Sequence, residues 1–309
     1  MKTAIGVDLG GTRIKAVAIN DAGHVLHQLY LPTNDGDDTT WKNAVAAAVN
    51  ELQDVLKEEK LPVGLSAPGL PNDDNTAIAF MPGRMQGLEN LYWTDFLRQP
   101  TYIVNDAVAS MLAEAKFGAA KNRKNVVMLT LGTGVGGAIL IDGKPYQGAF
   151  NKAGHIGHMV INDEGDTDIT GMPGSLEECI GNCTIEKRSK GKFGSTHDLL
   201  EAYKSGDAFA KEVWLKSVRH LAVGLASVTN ILSPEVIVLG GGITEAGSDL
   251  FGPLNEYMNL YEWRAGGNKA EIVKAAYGDM AGAIGVAWFA MNCEPKSPGL
   301  HSATFNHQP

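Results

Sequence analysis

TAIGVDLGGTRIKAVAI, residues 3–19, sets two β-rich runs, residues 3–7 and 14–19, around the turn Asp8-Leu9-Gly10-Gly11-Thr12. Apolar runs of strand length on either side of a short glycine turn read as two successive strands. Such a turn can also hold an anion. Adjacent glycines let backbone N–H groups approach phosphate oxygens, Thr12 adds a hydroxyl donor, and Asp8 stands where a carboxylate can hold a magnesium ion through water. An ordinary β-hairpin with a glycine turn uses the same residues, and this segment alone leaves both readings open.

A second copy shifts the balance. Residues 126–131 form another apolar run, followed by Gly132-Thr133-Gly134-Val135-Gly136-Gly137 and a further run at 138–141. Two strand–glycine turn–strand units about a domain's length apart predict a duplicated α/β architecture, with one phosphate loop from each half and a nucleotide between them.

The 309 residues are enough for two cores. A hydrophobic share of 44% with 20% charged residues is ordinary for a globular chain, and a formal charge of −9 opposes a nucleic-acid backbone or an anionic membrane as main partner. No apolar run reaches membrane-spanning length and no leader pattern precedes the first strand, so a cytoplasmic protein is expected. Cys179, Cys183 and Cys293 are too few for a disulfide framework; isolated buried thiols are expected, although Cys179 and Cys183 are spaced to share a helix face.

Between the loops, residues 25–31 predict a third strand. Trp41, Val45, Val49, Leu52 and Leu56 mark a helix that covers the sheet, with Thr39 or Thr40 as its cap. Residues 63–66 form a buried strand that runs into Ala67-Pro68-Gly69-Leu70-Pro71. Residues 102–104 form another, ending in Asn105-Asp106 before a helix at 108–117. Loops at the carboxyl ends of central strands are where α/β folds place ligands. A boundary is expected at 118–125, giving a first domain at 1–118, a second at 119–280, and a hydrophobic last helix near 281–293 that completes the first. Residues 213–232 predict a long buried helix stopped by Ser233-Pro234. The strand at 236–239 runs into Gly240-Gly241-Gly242, which either lets adenosine lie against the backbone or is only a tight turn. The tail at 294–309 is expected to be disordered.

The order of first loop, Asn-Asp switch, second loop and glycine triplet resembles the sugar kinases of the actin-like ATPase superfamily. Within it, the chain is similar to the ROK family of bacterial glucokinases, amino-sugar kinases and sugar-responsive repressors. The resemblance runs from Asp8 to about residue 290 and implies a duplicated ribonuclease H-like two-domain fold with its active site in the interdomain cleft. The family's Glu-x-Gly-His becomes His155-Ile156-Gly157-His158 here. Its Cys-x-Cys-Gly-x-x-Gly-Cys-x-Glu zinc loop becomes Asp168-Ile169-Thr170-Gly171-Met172-Pro173-Gly174-Ser175-Leu176-Glu177, with both glycines and the glutamate in register. Three cysteines are thus Asp168, Thr170 and Ser175, so no structural zinc is expected, and His158, the family's fourth ligand, is read as a hydrogen-bonding or sugar-contacting histidine.

The resemblance implies ATP and Mg2+ as cofactors, a hexose as substrate, a homodimer or homotetramer, and transfer of the γ-phosphoryl group to a 6-hydroxyl. Asp106 would be the catalytic base, with Gly69, Asn105, Asp106, His155, His158 and Glu177 around the sugar. Gly10, Gly11, Thr12, Lys15, Gly132, Thr133, Gly134 and Gly241 would hold ATP, and Asp8 the magnesium. Bland readings stand beside these: Asp106 as a helix cap, Glu177 as a helix N-terminal acid, and Lys15 as a solvated charge. Glucose is the first expectation. His155 in place of a glutamate makes an N-acetylmannosamine or other amino-sugar kinase the alternative, and Gly83, where many glucokinases carry asparagine, leaves sugar identity open. A catalytically silent sugar sensor is a third reading. A DNA-binding repressor is not expected, since Asp8 stands only seven residues after Met1. A dinucleotide oxidoreductase is disfavoured because a β-rich run, not a helix, follows the second loop.

Overall fold

The computed structural model describes residues 2–81 and 85–293. Gly83 and the tail from residue 294 lie outside the described residues. The opening stretch folds as a hairpin, β1 (Thr3–Leu9) and β2 (Arg13–Asn20), with Asp8 paired to Lys15, and β3 (Val25–Pro32) extends it. Helix α1 (Thr40–Leu56) buries Trp41, Val45, Val49 and Leu52. Its cap differs from expectation. Thr39 makes no side-chain cap bond, and the Asp37 carboxylate accepts the Thr39 and Thr40 N–H groups at 2.7 and 2.6 Å. A carboxylate two residues upstream reaches both open amides and carries the charge that a helix start favours.

Strand β4 (Val63–Ala67) lies parallel to β1 and leads through the small pair β5 (Leu70–Pro71) and β6 (Ile78–Phe80) and the short α2 (Trp93–Leu97) to β7 (Thr101–Asn105). The sheet order is β3-β2-β1-β4-β7. After α3 (Asp106–Lys116) the plan repeats with β8 (Val126–Leu131), β9 (Val135–Ile141) and β10 (Lys144–Pro145). Four helices follow, α4 (Leu176–Ile180), α5 (Ile185–Arg188), α6 (Thr196–Lys204) and the long α7 (Ala208–Leu232). Then come β11 (Val236–Gly240), α8 (Ser248–Tyr261) and β12 (Glu271–Lys274), closing a second sheet of order β10-β9-β8-β11-β12. Each sheet therefore sets a glycine-turn hairpin beside parallel strands, which is the duplication the two loops predicted. The three cysteines are free; Cys179 is buried, but α4 ends at Ile180 and leaves Cys183 exposed beyond it, so the two do not share a helix face.

The last helix, α9 (Ala281–Asn292), is buried along most of its length and packs against β1, β2 and β4 and alongside α3. It comes very close to the sheet because glycines face it. A Cβ added to Gly6 would lie 1.9 Å from the Ala283 carbonyl oxygen, and one added to Gly64 2.1 Å from that of Val286. Backbone cannot yield as a flexible side chain can. Gly64→Ala is therefore expected to lower stability by about 1–3 kcal/mol, read from chemical denaturation, with little effect on the chemistry of the folded fraction.

Between the two sheets the chain crosses twice, through residues 118–125 and through 275–280. Both crossings are tied to one side chain. Glu114 on α3 is fully buried; one carboxylate oxygen accepts the Ala276 and Tyr277 N–H groups at 2.8 and 2.9 Å, and the other accepts that of Ala119 at 2.8 Å.

Candidate active site

The parallel strands of the first sheet bring Asp8, Ser66 and Asn105 to one carboxyl edge. Asp8 accepts the Ser66 hydroxyl at 2.6 Å and lies 3.5 Å from Lys15 Nζ, which also donates to the Asp279 carbonyl at 2.9 Å. Burial pushes the Asp8 carboxyl up, while the Ser66 bond and the Lys15 charge pull it down. Lys15 is thus aimed inward and is not a solvated face charge. Hard oxygen donors suit magnesium, and a carboxylate with a hydroxyl neighbour fits an ion held through water. In the turn itself the Gly10 N–H closes onto the Arg13 carbonyl at 3.1 Å, so the donors left for an anion come from Gly11 and Thr12, which are exposed.

At the end of β7 the two polar residues divide their work. Asn105 is the cap of α3: its Oδ1 accepts the Ala107 N–H at 2.9 Å, and its Nδ2 donates to the Gly69 carbonyl at 3.1 Å. Asp106 is the first residue of the helix, and it is exposed. The capping amide is shared: Asp106 Oδ1 accepts the same Ala107 N–H at 2.8 Å, while Asn105 alone also reaches the Gly69 carbonyl.

The second loop is built the same way as the first. Gly132 N–H closes onto the Gly134 carbonyl at 3.0 Å, and the Gly132 and Thr133 carbonyls accept the Asn182 and Cys183 N–H groups at 3.0 and 2.8 Å. Glu177, on α4, accepts the Val135 N–H at 2.8 Å, so it braces this loop with one oxygen. The glycine pair at the start of β9 packs on two sides. A Cβ on Gly136 would meet the Thr130 hydroxyl and touch Ala107 at the start of α3 at an ordinary 3.5 Å, whereas one on Gly137 would clash with the Gly154 carbonyl beside the histidines. Asp106 and the His155 segment are in this way carried to the same end of one strand.

His155 and His158 stack with ring centroids 6.4 Å apart and planes 9° from parallel. Burial, then the neighbouring His158, lowers the His155 pKa below its ordinary value and favours the neutral ring. His158 Nδ1 lies 2.9 Å from the Asp168 carboxylate.

A groove of about 520 Å³ opens beside the second loop, lined by Gly132, Thr133, Asn182, Thr196, Gly242 and Ile243 among others. It joins Gly242 of the glycine triplet to the second glycine loop, with the Gly241 carbonyl holding the Thr244 hydroxyl at 2.7 Å. Asn182 and Thr196 were not singled out from sequence. Asn182 opens a short 3-10 turn after α4 and Thr196 opens α6, neither in a motif, and the bond from Thr196 N–H to Asn182 Oδ1, at 2.7 Å, brings them together. Ser66 was likewise missed, although its place at a strand end is a signal that could have found it.

The model of the ROK family matches residues 4–292. The chain is 31% identical over 321 residues to a glucokinase of Halalkalibacterium halodurans, covering 94% of this chain and 95% of that one. It is 32% identical over 253 residues to an N-acetylmannosamine kinase of Vibrio cholerae, covering 77% of this chain and 83% of the other. A ROK family glucokinase of Streptomyces griseus, solved in complex with glucose and AMPPNP, superposes with a TM-score of 0.75 at 26% identity, over 92% of this chain and 98% of that one. Two five-stranded sheets of the same plan, a glycine loop at each and a match across almost the whole length leave one assignment: the chain belongs to the ROK family and has its actin-like ATPase two-domain fold.

Proposed function

We propose that this protein is an ATP-dependent hexose kinase that transfers the γ-phosphoryl group to the 6-hydroxyl of its sugar, with glucose as the first acceptor to test. Family membership and relatives named glucokinase and N-acetylmannosamine kinase support a sugar phosphotransferase. The observation that carries the finer reading is the end of β7, where Asn105 ties the start of α3 to the Gly69 carbonyl and Asp106 stands exposed as the first residue of the helix. Asp106 accepts the proton of the attacking hydroxyl, and Asn105 holds the Gly69 segment against α3 so that the sugar is aligned. Gly11, Thr12, Thr133 and Gly134 offer amide and hydroxyl donors to phosphate oxygens, while Lys15 adds charge beside Asp8. Asp8 would hold magnesium through water, and the ion when bound neutralises charge on the phosphate oxygens. The groove beside Gly242 has room for a nucleoside, which favours ATP over polyphosphate as donor.

One observation favours an amino sugar. His155 is largely neutral and offers a donor and an acceptor where the family pattern has a carboxylate, and that is the position at which the chain looks like the N-acetylmannosamine kinases. ADP release with Mg-ATP across glucose, mannose, fructose, N-acetylglucosamine and N-acetylmannosamine decides between them. Turnover on glucose above all others is expected; preference for N-acetylmannosamine would transfer the assignment, and turnover on none with sugar binding retained would sink the kinase reading in favour of a sensor.

A further inference from the structure

The four positions that align with the zinc ligands of the family loop, His158, Asp168, Thr170 and Ser175, come together around one buried carboxylate. Asp168 Oδ1 accepts the Thr170 N–H at 2.8 Å, the Thr170 hydroxyl at 2.7 Å and the Met172 N–H at 3.0 Å. Its Oδ2 lies 2.9 Å from His158 Nδ1, and the Ser175 hydroxyl bonds to the same carboxylate. Ser175 in turn caps α4 by accepting the Glu178 N–H at 3.3 Å. Burial pushes the Asp168 carboxyl up, but these donors outweigh it and hold the group well below the usual carboxylate range.

Zinc in a closed structural site is held by thiolates and imidazoles in a tetrahedron. Here one imidazole is joined by a carboxylate and two neutral hydroxyls, and the carboxylate's lone pairs are already engaged. The residues do not fit the metal. They fit a hydrogen-bonded knot that links the same parts of the chain.

We propose that Asp168 stands in for the zinc of the family loop, as a positioning residue that ties the loop to α4 and fixes His158 as the Nδ1–H tautomer. An ionised carboxylate has no proton to give, so the proton between it and the ring sits on Nδ1. When the ring carries that single proton, Nε2 is an acceptor, and a hexose hydroxyl that meets it must donate. This last step rests on the kinase reading above; the tautomer and the absence of a need for zinc do not.

The test uses the full chain. Purified protein is incubated with zinc sulfate, desalted and assayed for metal, and nitrogen NMR of histidine-labelled protein reads the His158 tautomer. Substoichiometric zinc and an Nδ1–H ring are expected. Retention of one zinc per chain, or an Nε2–H ring in the wild type, overturns the proposal whether or not the protein turns over sugar. In Asp168→Asn the carbonyl oxygen stays on the three donors at Oδ1 and the NH2 group turns toward His158, which moves the ring proton to Nε2. Hexose KM should then rise about tenfold with ATP KM unchanged, the size expected when one ligand hydrogen bond meets the wrong partner. An unchanged tautomer with unchanged hexose KM overturns the proposal. Should Asp168→Asn fail to fold, the wild-type tautomer and zinc content still decide it. Lack of turnover on every sugar removes the kinase reading and leaves the tautomer result standing.

Discussion

Asp106→Ala is expected to lower kcat for hexose phosphorylation by about 10²–10⁴-fold, the usual contribution of a positioned general base, while hexose KM changes by less than about threefold. The loss corresponds to about 3–5 kcal/mol of barrier. The split between kcat and KM follows from placement: Asp106 is one of several groups proposed around the sugar, whereas the proton of the attacking hydroxyl is assigned to it alone. Fold stability should change little, because the Ala107 N–H that Asp106 accepts keeps Asn105 Oδ1 as its partner in the variant. Asp106→Asn is the sharper control. It keeps size and hydrogen bonding but loses basicity, and near-wild-type kcat in that variant would contradict the base role. Steady-state ADP release and a melting curve on the same preparations give both readouts.

Glu114→Ala should cost the fold about 3–6 kcal/mol, since three backbone N–H groups lose their acceptor at about 1–3 kcal/mol each, with water entry offsetting part of the loss. Glu114→Gln should recover about half of that. Its carbonyl oxygen can serve Ala276 and Tyr277 as before, while its NH2 group meets the Ala119 N–H and leaves that one unpaired. Urea titration followed by fluorescence measures the series. An alanine variant within about 1 kcal/mol of wild type would mean that water replaces the carboxylate at both crossings.

What the sequence made legible was whatever local chemistry repeats. Each glycine loop lies within a few residues of the strands that carry it, the Asn105-Asp106 switch directly follows its strand, and all three obey strand and turn patterns. The near-continuous apolar run of α9 likewise announced its burial. Helix α8 was not read, because Pro253 interrupts it, and β12 was not, because four residues with charged ends, Glu271 to Lys274, carry almost no pattern. In the site, Ser66 acquires its meaning only by meeting Asp8 across the sheet, and Thr196 only by meeting Asn182. The zinc loop divides in the same way. Its lost cysteines were visible residue by residue, but the knot around Asp168 needs the loop to close on His158, and no spacing rule describes it.

The seating of α9 on Gly6 and Gly64 has a consequence for the order of events during synthesis. The first sheet is complete in its strands once β7 has been made, yet the face that receives α9 stays open until the chain has been translated through residue 292. Between those moments a growing polypeptide presents Ala4, Val17 and Ile19 to water beside a second half still emerging from the ribosome. Pairing so distant in sequence slows folding and exposes sticky intermediates. The first half of this protein is thus the part that begins earliest and finishes last, and its yield in a cell should depend on chaperones that shield that face during elongation.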